Sequence, residues 1–312
     1  MRRSTAMTLI GGGILAGARP ALAQSAPATV RMGSMALDAA GEAYYGTEAG
    51  IFAGNGITPQ ITTSQTGAAI IQGVLAGDLD VGVANPLALA IAIARNIPVQ
   101  MIAPAVVYSK ADSNPNFVVA KDGPIKVPKD LIGATFGVST LADLNQLSLL
   151  AWLDVNGVPR DSVKFVELKF GELGSALQRN IIQAAIITEP FKTDAMRAGQ
   201  IRDFSDTYLS IAPEISPMVW FSSKAWLQKN PDAAKRLVNA IYATAKWSNS
   251  HTKETGDMLA KLAKMDPTVV ANMKRLIFAT SNDRKYSEPL LKLAARYNMI
   301  ARPVSFEEYT AF

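Results

Sequence analysis

Short apolar runs closed by turn residues alternate with helical stripes along most of this chain. The clearest run is Val81, Val83 and Ala84, held between Gly77-Asp78-Leu79-Asp80 and Asn85-Pro86. A run this short, bounded on both sides by turn formers, predicts a buried strand rather than a helix. Asn85 is a strong N-cap type, and Pro86 in the first helical position has no N–H to lose and a φ suited to a helix. The pattern therefore delivers a helix start to the carboxyl edge of a sheet, where open α/β sheets bind ligands.

The same arrangement returns about a hundred residues later. Asn180-Ile181-Ile182-Gln183 takes the place of the first turn, Ala184 to Ile187 that of the strand, and Glu189-Pro190 that of Asn85-Pro86. The upstream strand starts keep their distance: Thr29 to Pro86 is 57 positions and Ala134 to Pro190 is 56. Two copies of one unit are predicted, the second carrying Asn and Gln where the first has Gly and Asp.

Around these units the pattern places a strand from Thr29, a helix over 39–49 capped by Asp38, an edge strand over 57–63, and a helix over 68–76 opened by Thr66-Gly67. A strand over 99–107 follows the apolar helix behind Pro86, and 117–120 is a strand leaving one unit for the other. In the second unit, Thr140 and Asp143 read as a capping box before a helix, and 163–168 reads as a strand. Pro213 and Pro217 suit a return connection, with 218–222 as a strand re-entering the first unit. The carboxyl third is read as helices, with caps at Asn230 and Asp266 and a capping box from Ser305 to Glu308; Ile277 is placed on an inward stripe.

The first 23 residues change the picture. Arg2-Arg3, an uncharged run from Ser4 to Gly17 and the small-x-small site Ala21-Leu22-Ala23 predict a cleaved export signal, by the twin-arginine or Sec route. Without it, 28 basic residues face 26 acidic ones, so the formal charge of +5 falls to about +2. No basic run or basic-aromatic stripe remains for a nucleic acid. The absence of cysteine excludes a lipid anchor, disulfides, thiolate metal sites and a cysteine nucleophile. The remaining 289 residues suit two cores better than one: 28–108 with 217–312 as the first lobe, and 109–216 as the second.

With Glu48-Ala49-Gly50-Ile51-Phe52, Leu75 to Ala84, Pro124-Ile125, Asp130-Leu131-Ile132-Gly133 and Glu189-Pro190 in this order, the chain resembles a known family. These are the periplasmic substrate-binding proteins of ABC importers in the nitrate/sulfonate/taurine and NMT1/THI5-like (SsuA-like) group. The resemblance implies a type II periplasmic-binding-protein fold: α/β, with two lobes, each a mixed, mostly parallel sheet flanked by helices, and a ligand cleft between them. It also implies capture of a small-molecule ligand by a monomer, without cofactor, and delivery to an inner-membrane permease with a cytoplasmic ATPase. A periplasmic sensor presenting the same fold to a receptor is the alternative.

An enzyme is the third reading. The single histidine, His251, falls at a helix end, and no nucleophile elbow, P-loop or HExxH motif occurs. The strand-to-helix junctions supply the candidate ligand-binding residues: Leu37, Asp38, Thr66, Gly67 and Asn85 on one side, Thr140, Leu141 and Glu189 on the other. Tyr108 and Trp220 are candidate ring walls, with Tyr44 a further one. Asp38, Asn85 and Thr140 are equally helix caps by type. None of these junctions carries a lysine or arginine, while Asp38, Asp143 and Glu189 are acidic. A sulfonate-, nitrate- or taurine-like anion held by helix N-termini and a pyrimidine-like or aromatic metabolite therefore both stay open.

Overall fold

A computed structural model describes residues 26–312; the export-signal reading of residues 1–23 lies outside them. The strands are, in chain order, β1 (Ala28–Ser34), β2 (Ile57–Thr63), β3 (Val81–Ala84), β4 (Val99–Pro104), β5 (Val106–Ser109), β6 (Phe117–Ala120) and β7 (Thr135–Val138). They continue with β8 (Lys164–Glu167), β9 (Ala184–Ile186), β10 (Ile201–Ser205), β11 (Glu214–Ile215), β12 (Val219–Ser223) and β13 (Ile277–Phe278).

Two five-stranded sheets result, ordered β2-β1-β3-β12-β4 and β8-β7-β9-β6-β10. In each, three parallel strands come from one continuous stretch of chain, and the fourth is antiparallel and arrives from across the molecule. β6 enters the second sheet after the chain leaves the first, and β12 re-enters the first after leaving the second. A small sheet, β11-β5-β13, sits beside these crossings.

The repeat spacing is visible in the packing. The helix Gly67–Ala76 covers β1 and β3 closely enough that a Cβ on Gly33 would lie 2.8 Å from Ile70 Cγ2. In the second unit a Cβ on Gly137 would lie 2.6 Å from Cδ2 of Leu173, in the helix Phe170–Gln178, the corresponding contact. Glycine at both positions lets helix and strand approach at the same depth. The first sheet shares its core with the carboxyl-terminal helices through Leu237, Ile241, Leu259 and Leu290. The second carries a separate cluster on each face, one around Phe117, Phe136 and Trp152, the other around Leu173, Ile182 and Ile187.

Several local expectations are corrected. The predicted 99–107 strand is two, because Ala105 turns the chain out of the first sheet and β5 pairs instead with β11 and β13. Asp38 opens a short 3₁₀ turn, Asp38–Ala40, and makes no cap bond; the helix proper is Glu42–Glu48. The N-cap of the helix Leu144–Val155 is Asp143, not Thr140, because Ala142 at φ +54° turns the chain before the helix begins. Asn230 makes no side-chain cap bond; its amide donates back to Trp226 O at 3.0 Å. Ile277 lies in β13 and is 43% exposed rather than inward.

Candidate functional site

The carboxyl ends of both sets of parallel strands open onto one cleft of about 1120 Å³. From the first sheet, the turn after β1 contributes Leu37, that after β2 Thr66 and Gly67, and that after β3 Asn85; from the second, the turn after β7 contributes Thr140 to Asp143, the end of β8 Glu167 to Phe170, and the turn after β9 Glu189. Every junction is a strand-to-helix turn, so backbone N–H groups of helix starts converge there.

The chain itself uses many of those donors. Thr66 Oγ1 accepts from Ala69 N at 3.3 Å, Asp143 Oδ1 from Gln146 N at 3.1 Å and Glu189 Oε2 from Thr193 N at 3.0 Å. Glu167 Oε2 accepts from Leu141 N at 3.1 Å, and Glu172 Oε2 from Lys169 N at 3.3 Å. Asn85 Oδ1 accepts from Leu87 N, the helix it caps, and from Leu144 N, the first residue of a helix of the other unit, each at 3.0 Å.

Four carboxylates line the cleft, Asp143, Glu167, Glu172 and Glu189, against two cations, Arg95 and Lys169. Asp143 and Glu189 are buried; both cations are exposed. Burial pushes the Asp143 carboxyl up to about 7 against the opposing pull of the Gln146 N–H, so it is partly protonated at neutral pH. Aromatic walls come from the stacked pair Phe170 and Phe191, with centroids 5.7 Å apart, and from Tyr108 set edge-on to Tyr208 at 5.1 Å. Burial raises both tyrosine hydroxyls, which stay protonated. Tyr108 donates to Asp206, Ser113 Oγ bonds the same carboxylate at 2.5 Å, and Asn114 N donates to Tyr108 Oη at 2.9 Å. This cluster ties the two crossings together beside the cleft.

Of the residues singled out from sequence, Leu37, Thr66, Gly67, Asn85, Tyr108, Thr140, Leu141 and Glu189 line this one cavity. Asp38 and Trp220 do not. The Asp38 carboxylate is fully buried and accepts from Arg275 Nη2 at 2.7 Å and Leu276 N at 3.1 Å, an ion pair that anchors the carboxyl-terminal region. Trp220 lies inside the first core and donates from Nε1 to Glu42 Oε2 at 2.6 Å. Tyr44 bonds Thr63 at 2.8 Å and is also off the cleft.

Sequence reading missed Arg95, Asn116, Asn145, Lys169, Phe170 and Tyr208. Lys169 was within reach: it stands 103 residues after Thr66, the offset of the repeat, and is likewise the N-cap of its helix. Asn116 and Tyr208 lie on the crossings, where no periodic pattern marks them. Among the described residues no group of acidic or histidine side chains is arranged to hold a metal, and no helix is long and apolar enough to cross a membrane.

The NMT1/THI5-like family model matches residues 40–255. The taurine-binding periplasmic protein of Escherichia coli (strain K12) is 28% identical over 187 residues, 60% of this chain and 56% of that protein, so the match spans little more than half of that relative. The aliphatic sulphonate binding protein SsuA of Escherichia coli superposes with a TM-score of 0.74 at 16% identity, over 92% of this chain and 93% of that one. The nitrate-binding protein NrtA of Synechocystis PCC 6803 gives 0.75 at 13% identity, over 91% and 84%. At these identities the likeness is one of fold, the type II periplasmic-binding-protein fold that the family resemblance implies.

Proposed function

The chain belongs to the NMT1/THI5-like family, and on that premise we propose that it is the extracytoplasmic solute-binding component of an ABC importer. Its cleft captures a small molecule and presents it to an inner-membrane permease driven by a cytoplasmic ATPase. The observation that carries this reading is the single cavity lined by the strand-to-helix junctions of both sheets at once. A ligand touching both sides stabilises whichever arrangement brings them together, and two chain crossings suit a hinge.

In this reading residues 28–108 with 217–312 form one lobe and 109–216 the other. The mature chain, freed of residues 1–23, acts in the periplasm as a monomer without cofactor. The ligand contacts are Leu37, Thr66, Gly67, Asn85, Tyr108, Thr140, Leu141 and Glu189. Binding without turnover fits a cleft that has no histidine and whose carboxylates are engaged with backbone N–H groups.

Melting temperature measured against a panel of sulfonates, nitrate, amines and aromatic metabolites tests it. One-site binding raises stability by about 2.7 kcal/mol at a hundred times Kd, with the solute recovered unchanged. Chemical conversion of a solute that binds would replace the transport reading with an enzymatic one.

A further inference from the structure

Four backbone N–H groups at the junctions of this cleft are already engaged by carboxylates. Asp143, Glu167, Glu172 and Glu189 each accept a backbone N–H at a different junction. A sulfonate or nitrate placed among these helix starts meets like charge from Glu167, Glu172 and Glu189, the last buried where solvent screens poorly. Arg95 and Lys169 do not offset this, because both are exposed to water and counterions.

What the cleft leaves unused is different in kind. Glu189 Oε1 has only a long 3.4 Å contact from the Asn114 amide. Beside it stand the Phe170–Phe191 stack and the Tyr108–Tyr208 pair.

We propose that the cleft selects an organic amine with an apolar, ring-sized body, its N–H groups directed at Glu189 Oε1 and its ring at the Phe170–Phe191 stack. This deepens the solute-capture reading and rests on it. A carboxylate accepting from an ammonium group is among the stronger hydrogen bonds, and an apolar wall adds burial without competing for it.

The test is calorimetric titration of the mature chain with tyramine, 2-phenylethylamine and 2-phenylethanesulfonate, compounds with matched bodies, alongside taurine and nitrate. The amines are expected to bind at least ten-fold more tightly than the matched sulfonate. Glu189→Gln, which keeps an acceptor for Thr193 N, should weaken amine binding by roughly ten-fold. Glu48→Gln, at an exposed helix end, should leave it unchanged. Equal or tighter binding of the sulfonate overturns the amine assignment and leaves solute capture standing. Amine binding that Glu189→Gln leaves unaltered overturns it as well, by moving the amine elsewhere. Failure of every compound to bind saturably removes both.

Discussion

In the turn before β3, Gly77 sits at φ +80° and Asp80 bonds twice with the backbone of Arg31, donating its N–H to Arg31 O at 2.9 Å and accepting from Arg31 N at 2.8 Å. In the turn before β9, Asn180 sits at φ +56° and Gln183 makes the same pair of bonds with Thr135, both at 2.9 Å. The backbone solution is shared while the chemistry is not. Asp80 adds an ion pair to the Arg31 guanidinium at 2.6 Å, whereas the Gln183 amide turns its spare N–H groups onto Asn180. The turn therefore requires a residue that tolerates left-handed φ and, three positions on, an acceptor long enough to reach the neighbouring strand. Charge is optional.

The largest test of this comparison uses what each half does not share, its own buried acid. Glu42 lies in the first half, bonded to Trp220 Nε1 with its other oxygen unpartnered among the described residues; Asp143 lies in the second. Burial raises both carboxyls above their ordinary range, Asp143 to about 7. The folded chain thus binds these protons more tightly than the unfolded chain, so the stabilising contribution is complete below about pH 4 and is lost as pH rises through the folded values. Acidifying from pH 8 to 5.5 should raise stability by on the order of 2 kcal/mol through Asp143 alone, with a further gain through Glu42. Urea unfolding across that range, on the parent, Glu42→Gln and Asp143→Asn, should show each substitution removing its own share. An unchanged pH slope in both variants would reject the two buried acids as its source.

A smaller difference separates Asp80→Ala from Gln183→Ala. The first strands a backbone N–H and a guanidinium and should cost about 2 kcal/mol; the second strands one N–H and should cost about 1 kcal/mol. Asp80→Asn is the sharper variant, since it keeps an acceptor and loses only an ion pair to a half-exposed arginine, worth below about 1 kcal/mol. If Asp80→Asn proves as costly as Asp80→Ala, the two turns are not one device. The smallest effect is at the turn tip: Gly77→Ala should cost about 1 kcal/mol, while Asn180→Gly should move stability by less than about 0.5 kcal/mol. Equal effects at the two positions would break the equivalence.

What could be read from sequence follows the same division. Strand positions, the repeat offset and most cleft junctions were legible because they depend on neighbours within a few residues: Gly77, Asn85-Pro86, Thr66-Gly67. Several errors are long-range, and others turn on a single local backbone torsion. Asp38 looks like a cap until Arg275, 237 residues away, claims its carboxylate. Trp220 sits on a strand that re-enters the sheet, and sequence does not say which face it takes; Glu42, 178 residues earlier, draws the indole inward. Thr140 lost its cap role to Asp143 through one positive φ at Ala142, a residue type that gives no warning of it.

The helix Leu144–Val155 has one more consequence. Its first turn, Leu144 and Leu147, is packed into the core of the first sheet, while Leu149, Trp152 and Leu153 belong to a core of the second. Leu144 N is held by Asn85, and at the far end Asp154 accepts from Tyr297 Oη at 2.6 Å. Two sheets with separate cores could lose structure independently, each with its own melting transition. Here neither core can come apart without exposing part of a helix that the other has buried, so heating should yield one cooperative transition with no plateau between halves.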